Sequence, residues 1–258
     1  MFYLSEQNVL QEWALKDDVG SIGSSSELGI VLSDNSNIVS YWPSVVYQTA
    51  TGDIQEMVLN GAWNIRSTQN KGQLGSSLVE LPYWSDYPDG GNHVLYQKAD
   101  GTLGGLVGNT SAGWATKTSM LTLTPLPYTH YVLQAKIISD DSLGPIPEGS
   151  SIGGFTVSNK QTQPDLDTYV LYQEIDGSIQ VTWQDDKTGW KGPISPSAFQ
   201  GADNRTSIAC LTPMAWPGSP LPKGALQTCR CYFQSSGSIK EVWYDGTAFN
   251  LVGDVPTT

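Results

Sequence analysis

One stretch recurs five times along this chain, and the recurrence constrains the fold more than any other feature. The copies read MFYLSEQNVLQEW from Met1, SVVYQTATGDIQEMVLNGAW from Ser44, HVLYQKADGTLGGLVGNTSAGW from His93, YVLYQEIDGSIQVTWQDDKTGW from Tyr169 and RCYFQSSGSIKEVWYDGTAF from Arg230. Each opens on a short alternation of apolar and polar residues such as VLYQ, the period of a strand. A tight turn follows: ATGD at 50–53, ADG at 99–101, IDG at 175–177 or SSG at 235–237. Glycine in these turns supplies the positive φ that hairpins need. A second strand comes next, as in IQVTW or IKEVWY. A loop then leads to an aromatic residue: Trp63, Trp114, Trp190 or Phe249.

Most copies are preceded by another apolar strand that starts in small polar residues. These are SSLVELPYW (76–84), SSIGGFTVS (150–158) and TSIACLTPMAW (206–216). Each unit therefore holds four strands. Four-stranded repeats with a period of about 45 residues build a β-propeller, because one such sheet cannot bury both of its faces and must stack on its neighbours. The expected architecture is all-β, one propeller domain over 1–258. The long interval between Tyr96 and Tyr172 holds SMLTLTPLPYTHYVLQAKII, which reads as a worn copy centred on Tyr131 and makes six blades. Five blades with a long insertion is the alternative. Two Pro-rich loops, 82–92 and 213–224, join the first and second strands of their blades.

Composition narrows the function. The net charge is −12 and there are only 13 Lys plus Arg. Nucleic acid and anionic membranes both require clustered positive charge, so neither is an expected partner. No apolar run approaches the roughly 20 residues of a membrane span. No signal peptide is visible at MFYLSEQNVLQEW, and the compartment stays open. There are three cysteines. Cys229 and Cys231 share one face of a strand and are badly placed to bond each other. Cys210 can meet either of them across neighbouring strands, but three buried thiols is the preferred expectation. No H-E-x-x-H, Cys-Cys-His spacing or D-x-D-x-D-G loop occurs, and G-x-S-x-G is absent. No metal, cofactor or covalent nucleophile is expected.

The unit R-V-Y-x-Q, turn, I-x-E, loop, W resembles the blade repeat of the fungal fucose-specific lectins, which are six-bladed propellers. The resemblance covers most of the chain. It implies sugar sites between adjacent blades. An Arg four residues before the Gln and the Glu of I-x-E would hydrogen-bond the sugar hydroxyls. A Trp from the next blade would cover the apolar face of the ring. Here the Arg position reads Met1, Ser44, His93, Tyr169 and Arg230, and the Glu position reads Glu12, Glu56, Gly105, Val181 and Glu241. Only the last copy keeps both. With three arginines in the chain, a full set of five or six such sites is excluded.

Two functions follow from this pattern. One is a pocket enzyme that works without metal or nucleophile. Lectin-like propellers act as hetero-Diels–Alder cyclases in fungal natural-product pathways, and the resemblance implies that chemistry here. Such a reaction needs two partners held at reacting distance and a donor that polarises the heterodiene. His93, Tyr169 and Arg230 are the candidate catalytic residues, acting on a small apolar or aromatic substrate. The alternative is a fucose- or glycan-binding lectin with one or two remaining sites. The candidate ligand-binding residues in either case are Glu241, Glu12, Glu56, Trp63, Trp114 and Trp190. A homodimer is compatible with both.

Overall fold

The computed structural model describes residues 2–16, 19–32, 38–41, 44–75, 77–83, 91–109, 113–116, 146–147, 149–158, 166–185, 189–211 and 228–255. These form five antiparallel sheets in chain order. The first has three strands: β1 (Phe2–Leu4), β2 (Leu10–Lys16) and β3 (Val19–Ile22). The second is β4 (Ile38–Tyr41), β5 (Ser44–Gln48), β6 (Asp53–Asn60) and β7 (Ala62–Lys71). The third is β8 (Leu78–Tyr83), β9 (Gly91–Gln97), β10 (Leu103–Asn109) and β11 (Gly113–Thr116). The fourth is β12 (Ile152–Ser158), β13 (Leu166–Gln173), β14 (Ile179–Asp185) and β15 (Gly189–Ile194). The fifth is β16 (Ala209–Leu211), β17 (Cys229–Ser235), β18 (Ser238–Tyr244) and β19 (Phe249–Asp254). The four-stranded sheets are simple meanders, each strand paired with the next. This is the propeller that the repeat predicts, with five blades described rather than six. The copy expected around Tyr131 lies outside the described residues. The third and fourth sheets pack directly on each other through Val79, Leu81, Leu95, Ile152, Val170 and Tyr172, so no blade stands between them.

Alternation along each strand decides which blade it faces. In β5, Val46 lies at the interface with the third sheet while Val45 and Tyr47 face the first. Both sets are buried because neighbouring blades cover both faces. Among the described residues no apolar cluster joins the fifth sheet to the first. The outward face of the fifth carries Leu211, 63% exposed, and Trp243, 40% exposed, and that of the first carries Tyr3 and Ile22. Trp13, 38% exposed, lies on the same outward face of the first sheet.

A recurrent glutamine ties successive blades together. Gln97 Nε2 donates to the carbonyls of Ile146 and Pro147, and its Oε1 accepts from the Gly149 N–H. Gln48 and Gln173 repeat the arrangement: Gln48 bonds the Gln73 carbonyl and the Gly75 N–H, and Gln173 bonds the Asp203 carbonyl and the Arg205 N–H. In each case the partners lie in the lead-in loop of the next blade, two residues apart. The loop turns through a left-handed residue at Gly75, Gly149 and Arg205, with φ of 71°, 68° and 60°. The fourth member of the series, Gln234, is exposed and makes no side-chain hydrogen bond among the described residues.

The turns are fixed by aspartates. The Asp100 carboxylate accepts from both the amide and the hydroxyl of Thr102, and Asp176 does the same with Ser178. Asp245 accepts from the Thr247 amide and hydroxyl and from the Ala248 amide. These bonds favour the charged form. They hold Asp245 down at about 2 against an ordinary value of 3.8, with the Thr247 hydroxyl as the main cause. A depressed carboxyl stabilises the fold above its unfolded value, and the contribution is lost as pH falls through the folded one. The urea midpoint is therefore expected to drop as pH falls from 3.8 toward about 2. Asp245→Asn should flatten part of that drop. An unchanged pH profile in the variant would show that this turn does not contribute.

The cysteines depart from expectation. Cys210 and Cys231 form a disulfide and Cys229 is a buried thiol. The reason is register: Cys210 stands directly opposite Cys231 in the β16–β17 pair, with Cα atoms 4.1 Å apart.

Candidate functional site

Side-chain chemistry collects on the outward face of the fifth sheet and at the faces of the second. On β17 and β18 the register sets Tyr232 opposite Glu241 and Arg230 opposite Trp243, so all four residues share the outward face of the fifth sheet. Arg230 and Glu241 form an ion pair, with the arginine side chain 50% exposed and the glutamate side chain 19% exposed. The Trp243 indole stands one cross-strand neighbour away, within the distance at which such side chains meet. The arrangement offers a guanidinium, a carboxylate and an aromatic face on one open surface.

The second sheet holds a related group. Glu56 is buried and accepts a 2.7 Å hydrogen bond from the Ser44 hydroxyl. Its other carboxylate oxygen pairs with Arg66 at 3.9 Å. Arg66 is on β7, directly opposite Glu56. The arginine missing from the Ser44 position is thus supplied by the next strand of the same blade. No repeat position marks Arg66, but counting outward from the turn at Gly61 pairs it with Glu56.

The remaining predicted residues sit differently. Tyr169 is 7% exposed and stacks on Phe155, ring centroids 4.7 Å apart. Its hydroxyl lies 2.6 Å from that of Tyr244. Phe249 closes over both rings. The crevice between the fourth and fifth blades is therefore filled by aromatic side chains. Glu12 is bound to the short turn at Ser24–Leu28, where its Oε2 accepts from the Ser25 amide. The Glu12 carboxylate also lies where any Cβ on Gly23 would stand, so that glycine is needed for the close approach. Glu12 pairs with Phe2, whereas Glu56 pairs with Val46, two residues beyond Ser44. Met1, the residue expected at the position matching Ser44, lies outside the described residues. Trp63 is buried against Phe2 of the first sheet, edge to face at 5.5 Å. Trp190 packs against the interface of the third and fourth blades. His93 is on β9 opposite Val107, and Trp114 is on β11 opposite Gly108.

No protein-family model and no curated protein matches the sequence. Solved structures do match. The chain aligns over 99% of its length with AofleA from Arthrobotrys oligospora, at 16% identity and a TM-score of 0.65, covering 68% of that chain. It aligns equally well with the fucose-specific lectin from Aleuria aurantia, at 16% identity and a TM-score of 0.65, covering 73% of that chain. The fold is that of the fucose-specific lectin propellers. Similarity extends to SapL1 lectin in complex with α-methyl fucoside, at 17% identity and a TM-score of 0.64, covering 98% of this chain and 74% of that one. The Aleuria lectin is a six-bladed propeller with its own mode of fucose recognition.

Proposed function

We propose that this protein is a glycan-binding propeller that takes a fucose-type sugar at one or two sites. The observation that carries the reading is the Arg230–Glu241 pair on an open sheet face beside the half-exposed Trp243. A guanidinium and a carboxylate together satisfy sugar hydroxyls as donors and acceptors with charge-assisted bonds. The indole covers the C–H face of the ring. Ser44, Glu56 and Arg66 form the second candidate site, more buried and therefore narrower in what it accepts. Structural likeness to fucose lectins supports this reading over the cyclase, which draws no such support. The Tyr169 hydroxyl already serves Tyr244, inside a crevice that aromatic rings occupy.

Calorimetric titration with methyl α-fucoside tests the proposal. Saturable binding at one or two sites per chain is expected. No heat with the fucoside and silence across a glycan array would overturn it. Tyr169→Phe separates the two functions. It leaves the Tyr244 hydroxyl without its partner and should lower stability by about 1–2 kcal/mol. Fucoside affinity should not change. A fall in affinity with the fold intact would place Tyr169 in the binding machinery.

A further inference from the structure

The cysteine cluster is not used by the glycan sites, and it has a geometry of its own. The sulfurs of Cys210, Cys229 and Cys231 all lie within 4.8 Å of one another. Cys229 Sγ is 3.8 Å from Cys231 Sγ. Cys229 and Cys231 are two residues apart on β17 and point to the same face, and Cys210 reaches them from β16. Three sulfurs bound to one central atom at about 2.3 Å stand about 4 Å apart in a trigonal arrangement. Once the disulfide is opened, side-chain rotation at Cys210 and Cys231 brings all three sulfurs within reach of one central atom.

The surroundings choose the kind of ion. The cluster lies in the apolar layer between the fourth and fifth blades, with Phe155, Phe233 and Val242. Cys229 and Cys231 are fully buried. Net charge is therefore strongly opposed there. Three thiolates with a monovalent ion leave two negative charges, and with a divalent ion one. A trivalent ion leaves none. Cys210 also lines a cavity of about 330 Å³ between the inner strands of four blades, together with Ile38, Leu78, Gly153 and Ile208. A small neutral molecule can approach the sulfurs from that side.

We infer that the reduced cluster of Cys210, Cys229 and Cys231 is a three-thiolate site for a trivalent thiophilic element of the arsenic(III) class. Opening the disulfide takes two electrons from a reductant such as a phosphine. The phosphine becomes its oxide with oxygen from water, and the two water protons end on the Cys210 and Cys231 sulfurs. Neutral arsenous acid then exchanges its three hydroxyls for three sulfurs. Each As–O bond is replaced by an As–S bond, each thiol proton leaves with a hydroxyl as water, and arsenic stays trivalent. The product is neutral, as the apolar layer requires.

The test uses the full chain, reduced with a phosphine, desalted without oxygen and titrated with arsenite under native mass spectrometry. One arsenic per chain with loss of three protein hydrogens is expected. Unreduced protein should take up none. Cys229→Ser should lose two hydrogens instead of three and bind about a hundredfold more weakly. The hydrogen count in the wild type stands alone should that variant fail to fold. Uptake with only two hydrogens lost, equal affinity in Cys229→Ser, or no uptake by the reduced chain would each overturn the site. Preference for monovalent copper over arsenite would overturn the charge argument.

Discussion

Replacing Gln97 with alanine lowers the stability of this protein by about 3 kcal/mol, and the same change at Gln234 alters it by under about 0.5 kcal/mol. The two glutamines hold the same place in their repeats. Gln97 is fully buried, and its amide satisfies two carbonyls and one N–H in the loop that leads into the fourth blade. Alanine leaves those groups buried without partners, and that desolvation is the larger part of the loss. Gln234 is exposed on the outward face of the fifth blade, so alanine there strands nothing among the described residues. Urea midpoints measured at constant m-value give the comparison. Equal losses at the two positions would mean that the glutamine matters within its own blade and does not link blades.

Arg230→Ala is expected to weaken fucoside binding by about 10- to 100-fold, the effect of losing one charge-assisted hydrogen-bonding partner. Arg230→Lys should recover little of it, because an ammonium lacks the planar fork of the guanidinium. Trp243→Ala should weaken binding through the lost apolar platform while the ion pair stays in place. Stability should fall less for Arg230→Ala than for Arg66→Ala, since Arg230 is half exposed and Glu241 is less buried than Glu56. Arg66→Ala probes the second site. Its removal leaves the buried Glu56 with the Ser44 hydroxyl but without its cation, so stability and any binding there should fall together. Isothermal titration of each variant, beside its thermal midpoint, separates binding from folding.

Local signals carried most of the architecture. Period-two alternation and Asp-Gly turns placed the paired strands, and the small-residue lead-ins placed the inner ones. Contacts between blades were far less legible. The Tyr169 hydroxyl finds Tyr244 across a blade interface, 75 residues along the chain, and no local pattern marks that meeting. The pairing of Cys210 with Cys231 spans 21 residues, and the long Pro-rich segment between them does not reveal which cysteine the register selects. Arg66 is illegible for a different reason: the repeat places its cation on the strand before the turn, whereas here the cation is on β7, the strand after Glu56. Arg230 with Glu241 was legible because both residues sit at their repeat positions, and β17–β18 register brings them together as the repeat implies. The blade count depended on a segment around Tyr131 with too little of the repeat left to place it.

A crystal structure of the protein with methyl α-fucoside is the most direct test of the glycan reading. The sugar should bind on the outward face of the fifth sheet, its hydroxyls held by Arg230 and Glu241 and its apolar face on Trp243. A saturated crystal with that face empty, or with sugar held only by residues outside these sites, would contradict the assignment.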